Sequence, residues 1–373
     1  MWISLSPLLA EVDFVNDHDS VSAIETILSS FCRGEHIIFA DRKTLSHLLT
    51  VQLSRPNHAA LSSIQARYSE LKSIEEEQLY RVVVVPNIMQ SRRKTNALWF
   101  VPLKHFAIVA LVPSCVLAEN LRDAIAYVGC AIHAQKILGY RGIRVNLTKD
   151  SGGGADIPNK LGDLEKAKRQ FVMSVTDTDR THPFGTVCAP TIKCKAIVDK
   201  SSWVTEHQAV EGNEIENILP VNLVYDSIEA SDAIHTLEKQ LDFLKRTTFV
   251  TSSLHKWFDL KSGTKLARIR ASNVNEIERE YWVEASKHIE LKFCCADECA
   301  DIQECPKADS RDCTCLLLPG LGGATLDRYN THCATLTIQK QCERVQTSTN
   351  ADDWLRLGLR VASWGAALEK QRS

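Results

Sequence analysis

Acidic side chains recur in this chain just after apolar runs. Glu119 follows Val116-Leu117-Ala118, with Asp123 four residues on; Asp177 and Asp179 follow Phe171-Val172-Met173-Ser174-Val175; Glu211, Glu214 and Glu216 follow the stretch from Trp203 to Val210. Such runs read as strands, and in a parallel sheet the residues after the strands' carboxyl ends gather along one edge, where ligands bind. Carboxylates brought together there raise one another's pKa unless a cation lies among them. Mg²⁺ suits such oxygens, taking one or two carboxylates together with water and substrate phosphate. The ion lowers the pKa of a bound water and neutralises charge on a phosphodiester, so these residue types point to metal-dependent phosphoryl chemistry.

The elements that must position these groups alternate. From about residue 106 the pattern is strand, helix, strand, helix, strand. Asn120 is placed to cap a helix from Leu121 to about Ile137, whose apolar positions Ala124, Ile125, Val128 and Ile132 recur at helical spacing. A short strand is expected from Ile143 to Leu147, a loop at Ser151-Gly152-Gly153-Gly154, and a polar helix from about Asn159 to Arg169. Alternation of this kind implies a parallel sheet with crossover helices. Upstream, Ser20 is expected to cap a helix, His36 to Ala40 and Arg81 to Val85 read as strands, and the role of the first hundred residues is opaque. Downstream come a helical stretch through Ile228, Ile234, Leu237, Leu241 and Leu244, the loop Pro319-Gly320-Leu321-Gly322-Gly323, and a last helix around Trp354 to Leu368.

The order of these features resembles the TOPRIM domain. Glu119-Asn120-Leu121-Arg122-Asp123 looks like its opening, the glycines 152 to 154 sit where it places a glycine loop, and Asp177-Thr178-Asp179 resembles its closing Asp-x-Asp. Glu214-Ile215-Glu216 and Asp259-Leu260-Lys261 are similar to the later acidic and lysine elements of OLD-family nucleases and of their stand-alone relatives in bacterial anti-phage defence. The resemblance spans roughly residues 106 to 265. It implies an α/β fold with a TOPRIM core, Rossmann-like with a mostly parallel sheet; the residue pattern adds an α/β amino-terminal region and a helical insertion at about 221–250. The resemblance also implies a Mg²⁺- or Mn²⁺-dependent nuclease in which Glu119, Asp177, Asp179 and Lys261 are catalytic, while Glu119, Asp123, Asp177, Asp179, Glu214 and Glu216 supply the metal ligands. The substrate would be DNA or RNA, the setting a toxic defence effector restrained by a partner ATPase or sensor, and a homo-oligomer fits the same picture. In place of the family's usual glycine after the first glutamate stands Asn120, which tolerates a left-handed turn better than other side chains. No Gly-x-x-x-x-Gly-Lys-Ser/Thr run occurs, so an ATPase would be a partner chain.

Each residue also has a plainer reading. Glu119 and Asp123 suit the first turn of a helix, where the dipole favours carboxylates. Asp177 to Asp179 suits an Asx turn. The glycines suit a flexible loop, and Lys261 an exposed surface. Glu211, Glu214 and Glu216 cannot all face one site. A non-catalytic, zinc-stabilised module that binds nucleic acid or protein is therefore the alternative function. Primase or topoisomerase chemistry on the same fold ranks below both.

Thirteen cysteines are present, eight of them between Cys294 and Cys342. Cys294, Cys295, Cys299, Cys305, Cys313 and Cys315 place six thiols within 22 residues, which favours a local structural Zn²⁺ site over dispersed disulfides. Buried free cysteines are the competing account. These readings divide the chain into 1–105, a catalytic region 106–270 and a cysteine-rich, helical region 271–373.

Composition adds little about partners. With 373 residues, 44% hydrophobic and 24% charged, the chain is long enough for two or three domains and suits a globular protein. A net charge of -2 gives no overall pull toward a polyanion, so a nucleic-acid contact must use local clusters such as Arg92-Arg93-Lys94, or metal ions. The start lacks a basic segment before its apolar run, and no apolar stretch is long enough to span a bilayer. A cytoplasmic protein with no membrane association is expected.

Overall fold

The computed structural model describes residues 1–139, 142–248, 255–266, 268, 274–287 and 315–370. It is an α/β protein with mostly parallel sheets, made of two compact units. The first comprises 1–175, 193–208 and 355–373, the second 176–192 and 209–354.

In the first unit, strands β1 (Trp2–Leu5), β2 (Ile37–Ala40), β3 (Arg81–Val85), β4 (Arg92–Thr95) and β5 (Leu98–Pro102) form a sheet in the order β2-β1-β3-β5-β4. All neighbours are parallel except β4, which pairs antiparallel to β5 at the edge. The basic cluster Arg92-Arg93-Lys94 is thus an edge strand, and Arg92 and Lys94 lie over the Phe100 ring. Charge at an unpaired edge discourages further strand addition. Asp17, rather than Ser20, caps the helix His18–Cys32, accepting from the Ser20 N–H at 3.2 Å.

The next strands are β6 (Cys115–Ala118), a short β7 (Arg144–Val145), β8 (Thr148–Ser151), β9 (Val172–Thr176) and β10 (Thr205–Ala209), and all of them except β7 form the second sheet. Its order is β10-β9-β6-β8. The expected strand 143–147 is corrected by this arrangement: Arg144–Val145 pairs with Ala366–Ala367, and the polar Thr148–Ser151 pairs with β6. An edge strand needs only backbone partners, so its polar side chains hid it from hydropathy.

Strands β6 and β9 are buried along their whole length, as strands covered on both faces should be. Cys115, Leu117 and Val172 pack with Ile157 and Leu161 of the helix Ile157–Ala167 and with Cys194 and Val198 of the helix Ala189–Lys200. Each fully buried side chain of this kind contributes about 1.5–3 kcal/mol. Ala118 lies opposite Val175, so β6 and β9 end level with each other.

The second unit is mainly helical. Its helices include Val221–Glu229, Ile234–Thr248, Glu276–Lys287, Thr325–Thr335 and Ile338–Gln346, joined by an antiparallel pair, β11 (Thr264–Lys265) with β12 (Leu316–Leu318). Among the described residues no helix is long and apolar enough to cross a membrane.

Candidate functional site

Glu119 and Asp123 belong to the first unit; Asp177, Asp179, Glu214, Glu216 and Lys261 belong to the second.

Glu119 directly follows β6 and is half-buried. Its carbonyl accepts from the Gly154 N–H at 2.9 Å and from Ser151 Oγ at 3.1 Å, so the glycine loop is a tied turn at the strand end. Gly153 and Gly154 adopt φ of 74° and 68°, and a side chain at Gly152 would overlap Ile157. Asn120, by contrast, is extended at φ -129°, so the position needs no glycine. The Asp123 carboxylate accepts from the Asn120 N–H at 2.9 Å and closes a capping box on the helix Leu121–Ile137. That helix-capping role belongs to the plainer reading of the acid.

In the second unit, Asp177 leaves β9 and Oδ1 accepts from the Ile215 N–H at 2.8 Å, joining the Asp-x-Asp segment to the glutamates. Two residues on, Asp179 is exposed and holds a left-handed φ of 54°. Its N–H and that of Thr178 both donate to the Asn213 carbonyl, at 2.9 and 3.1 Å. Aspartate tolerates such a backbone better than most side chains, and strained positions of this kind concentrate at functional sites. Glu211 is exposed.

Lys261 brings the remaining acids together. Its Nζ lies 3.1 Å from Glu214 Oε2 and 3.3 Å from Glu216 Oε1, and Glu216 is only 1% exposed. Asp177 is close enough to act on the same ammonium. Burial would lower the Lys261 pKa, but Glu216, Glu214 and Asp177 outweigh it and hold the group well above the usual lysine range. Burial pushes Glu214 up to about 7; Lys261 opposes the shift and Glu216 adds to it. Three carboxyl groups, Glu214 among them partly protonated near neutrality, face one ammonium and leave an excess of negative charge. That is the charge a divalent ion would neutralise, and the donors are the hard oxygens Mg²⁺ prefers. Still, among the described residues no three His, Cys, Asp or Glu side chains stand grouped as metal ligands.

Two further features position this cluster, and the amino-acid pattern does not show the positioning part that either takes. Asn217, 1% exposed, accepts from the Glu214 N–H at 2.9 Å and donates to the carbonyls of His255 at 2.7 Å and Phe258 at 2.8 Å. It clamps the glutamate turn to the segment that leads to Lys261. Asp259 then forms an Asx turn, its Oδ1 accepting from the N–H groups of Lys261 at 2.9 Å and Ser262 at 2.7 Å. The loop Pro319–Gly323 closes over that turn: the Gly322 N–H donates to the Lys261 carbonyl at 2.9 Å, and a side chain at Gly320 would overlap it. Asparagines and glycines in loops are too common for sequence alone to single these out.

Asn217→Ala should cost about 3 kcal/mol, since it removes three bonds and leaves two buried carbonyls without their donor. Urea denaturation measures this, and a loss under about 0.5 kcal/mol would show that the clamp carries no weight.

Of the six cysteines proposed for zinc, Cys294, Cys295, Cys299, Cys305 and Cys313 lie outside the described residues. Cys315 is buried at the start of β12, where its carbonyl accepts from the Leu266 N–H at 2.9 Å.

Compared with protein-family models, with curated proteins and with solved structures, the chain matches none.

Proposed function

We propose that this chain is a Mg²⁺- or Mn²⁺-dependent nuclease of the TOPRIM kind, acting as a toxic effector of anti-phage defence under a partner ATPase or sensor. The observation that carries the reading is the grouping of Asp177, Glu214 and Glu216 around Lys261 in one unit, from segments that the resemblance had marked separately. Asp177, Glu214 and Glu216 would hold the ion. The roles given to Glu119 and Asp179, like the defence setting, rest on the resemblance alone. Zn²⁺ held by the cysteine-rich segment rests on the sequence alone.

When bound, the ion supplies a more acidic water and neutralises phosphodiester charge. Lys261, kept protonated by its carboxylate neighbours, is unsuited to take a proton and suited to offset negative charge on the phosphoryl oxygens. Glu214, poised near neutrality, makes ion uptake depend on pH: the carboxylate must lose its proton to bind, so uptake strengthens as pH rises through about 7.

The alternative, a non-catalytic module that binds nucleic acid or protein, is favoured by one observation: Lys261 already bridges both glutamates. The two readings separate in a single experiment. Purified protein is incubated with single-stranded DNA, duplex DNA or RNA in Mg²⁺, Mn²⁺ or EDTA, and its melting temperature is followed in the same buffers. The nuclease reading expects cleavage with either ion, none in EDTA, and a melting temperature a few degrees higher at ion levels about 100 times the dissociation constant. Neither cleavage nor a metal-dependent melting shift, with a cognate partner present, would leave the binding module.

A further inference from the structure

A polar cleft of about 330 Å³ lies wholly within the first unit, away from the carboxylates discussed above. The volume is within the range of small-molecule sites, roughly 300–1,000 Å³. Its floor is built from buried polar groups. Glu206, 8% exposed, accepts from Arg93 Nη2 at 2.6 Å and from the His207 N–H at 3.0 Å. Arg93 in turn lies over the Trp99 ring and donates to the Thr95 and Asn96 carbonyls, so its position is held from three sides. Tyr80, 3% exposed and packed edge-on against Trp364, accepts from Gln208 Nε2 at 3.1 Å and Arg360 Nη1 at 3.4 Å. The phenol therefore keeps its own proton to donate.

The charges do not cancel. Arg93 is matched by Glu206 and Lys195 by Asp199, at 2.6 and 3.1 Å, whereas Arg360 forms no ion pair among the described residues and meets the Glu206 charge only at longer range. His207 makes a second demand. The Ser174 hydroxyl donates to the Glu206 carbonyl at 3.3 Å and so accepts from His207 Nδ1 at 3.1 Å, which makes Nε2 an acceptor. That atom is buried and has no partner. A fitting ligand must then bring negative charge for Arg360 and a hydrogen-bond donor for His207.

We propose that this cleft binds a small phosphate monoester, a sugar phosphate or mononucleotide, with Arg360, Lys195 and the Tyr80 hydroxyl on the phosphate and a ligand hydroxyl on His207 Nε2. A phosphate monoester presents three terminal oxygens to those three donors, and its organic part carries the hydroxyl that inorganic phosphate or a simple carboxylate lacks. The assignment is independent of the nuclease reading, because it uses no residue of the second unit.

Calorimetric titration with ribose 5-phosphate, adenosine 5′-monophosphate, inorganic phosphate and unphosphorylated ribose tests it. At least one monoester should bind saturably and more tightly than ribose. Arg360→Ala, a change at an exposed helix position, should weaken that binding about tenfold or more, and Lys195→Ala should weaken it in the same direction. The proposal is overturned if neither monoester binds, if ribose binds as tightly, if Arg360→Ala leaves the affinity unchanged, or if inorganic phosphate binds while both monoesters do not.

Discussion

Asp177→Ala should abolish metal-dependent cleavage, lowering the rate about a thousandfold, at the upper end of the 10²–10³ that loss of one preorganised charge-stabilising group costs. The residue is well placed for so large an effect. Its peptide carbonyl accepts from Thr191 Oγ1 at 2.5 Å, and Oδ1 from the Ile215 N–H at 2.8 Å, so main chain and carboxylate are both oriented. The alanine change also removes the bond to Ile215, which costs about 1 kcal/mol and confuses folding with chemistry. Asp177→Asn resolves this: its amide oxygen can still accept from Ile215 while the negative charge is gone. Both variants should therefore be inactive, with the asparagine form melting close to wild type. Wild-type cleavage rates in Asp177→Asn, measured in Mg²⁺ on the best substrate, would end the nuclease assignment.

Lys261→Met should lower stability by about 3 kcal/mol at pH 8, the low end of what removing one partner from a buried ion group costs, because 26% of the lysine side chain stays exposed. It should also remove cleavage, since the charge that offsets the phosphoryl oxygens is gone. The pH dependence fixes the cause. In the wild type, the folded-state pKa of Glu214 is already raised, to about 7 against an ordinary 4.5. A carboxyl raised in this way favours the fold below its unfolded pKa, and that advantage is lost as pH climbs through the folded value. Without the ammonium, Glu214 titrates higher still, so the variant falls further behind wild type as pH rises. Urea unfolding at pH 5 and pH 8 reads this directly, with a smaller deficit expected at pH 5. A deficit equal at both pH values would mean that Lys261 acts through the packing of its stem rather than its charge.

These effects rest on a grouping only partly legible in the amino-acid order. The apolar runs before Glu119 and Asp177 marked them as residues at strand ends, and Asn120 marked the start of the following helix, because burial on both faces and capping chemistry are local properties. The strand beside β6 was missed for the opposite reason: Thr148–Ser151 owes its pairing to backbone hydrogen bonds, which leave no trace in side-chain hydropathy. The plainer reading of Asp123, a carboxylate in the first turn of a helix, was legible too, while the capping box it closes with Asn120 came from the structure.

What the sequence determined by itself is the α/β alternation and the set of acids available at the strand ends, since both follow from short-range periodicity. What tertiary structure decided is which of those acids share an environment. Glu214 and Glu216 meet Lys261 because Asn217 and the glycines of Pro319–Gly323 hold distant segments against one another. Glu211, only three residues before Glu214, is left exposed. Charge and spacing can nominate such residues, but long-range backbone contacts place them, and those contacts also set the pKa values on which the proposed chemistry depends.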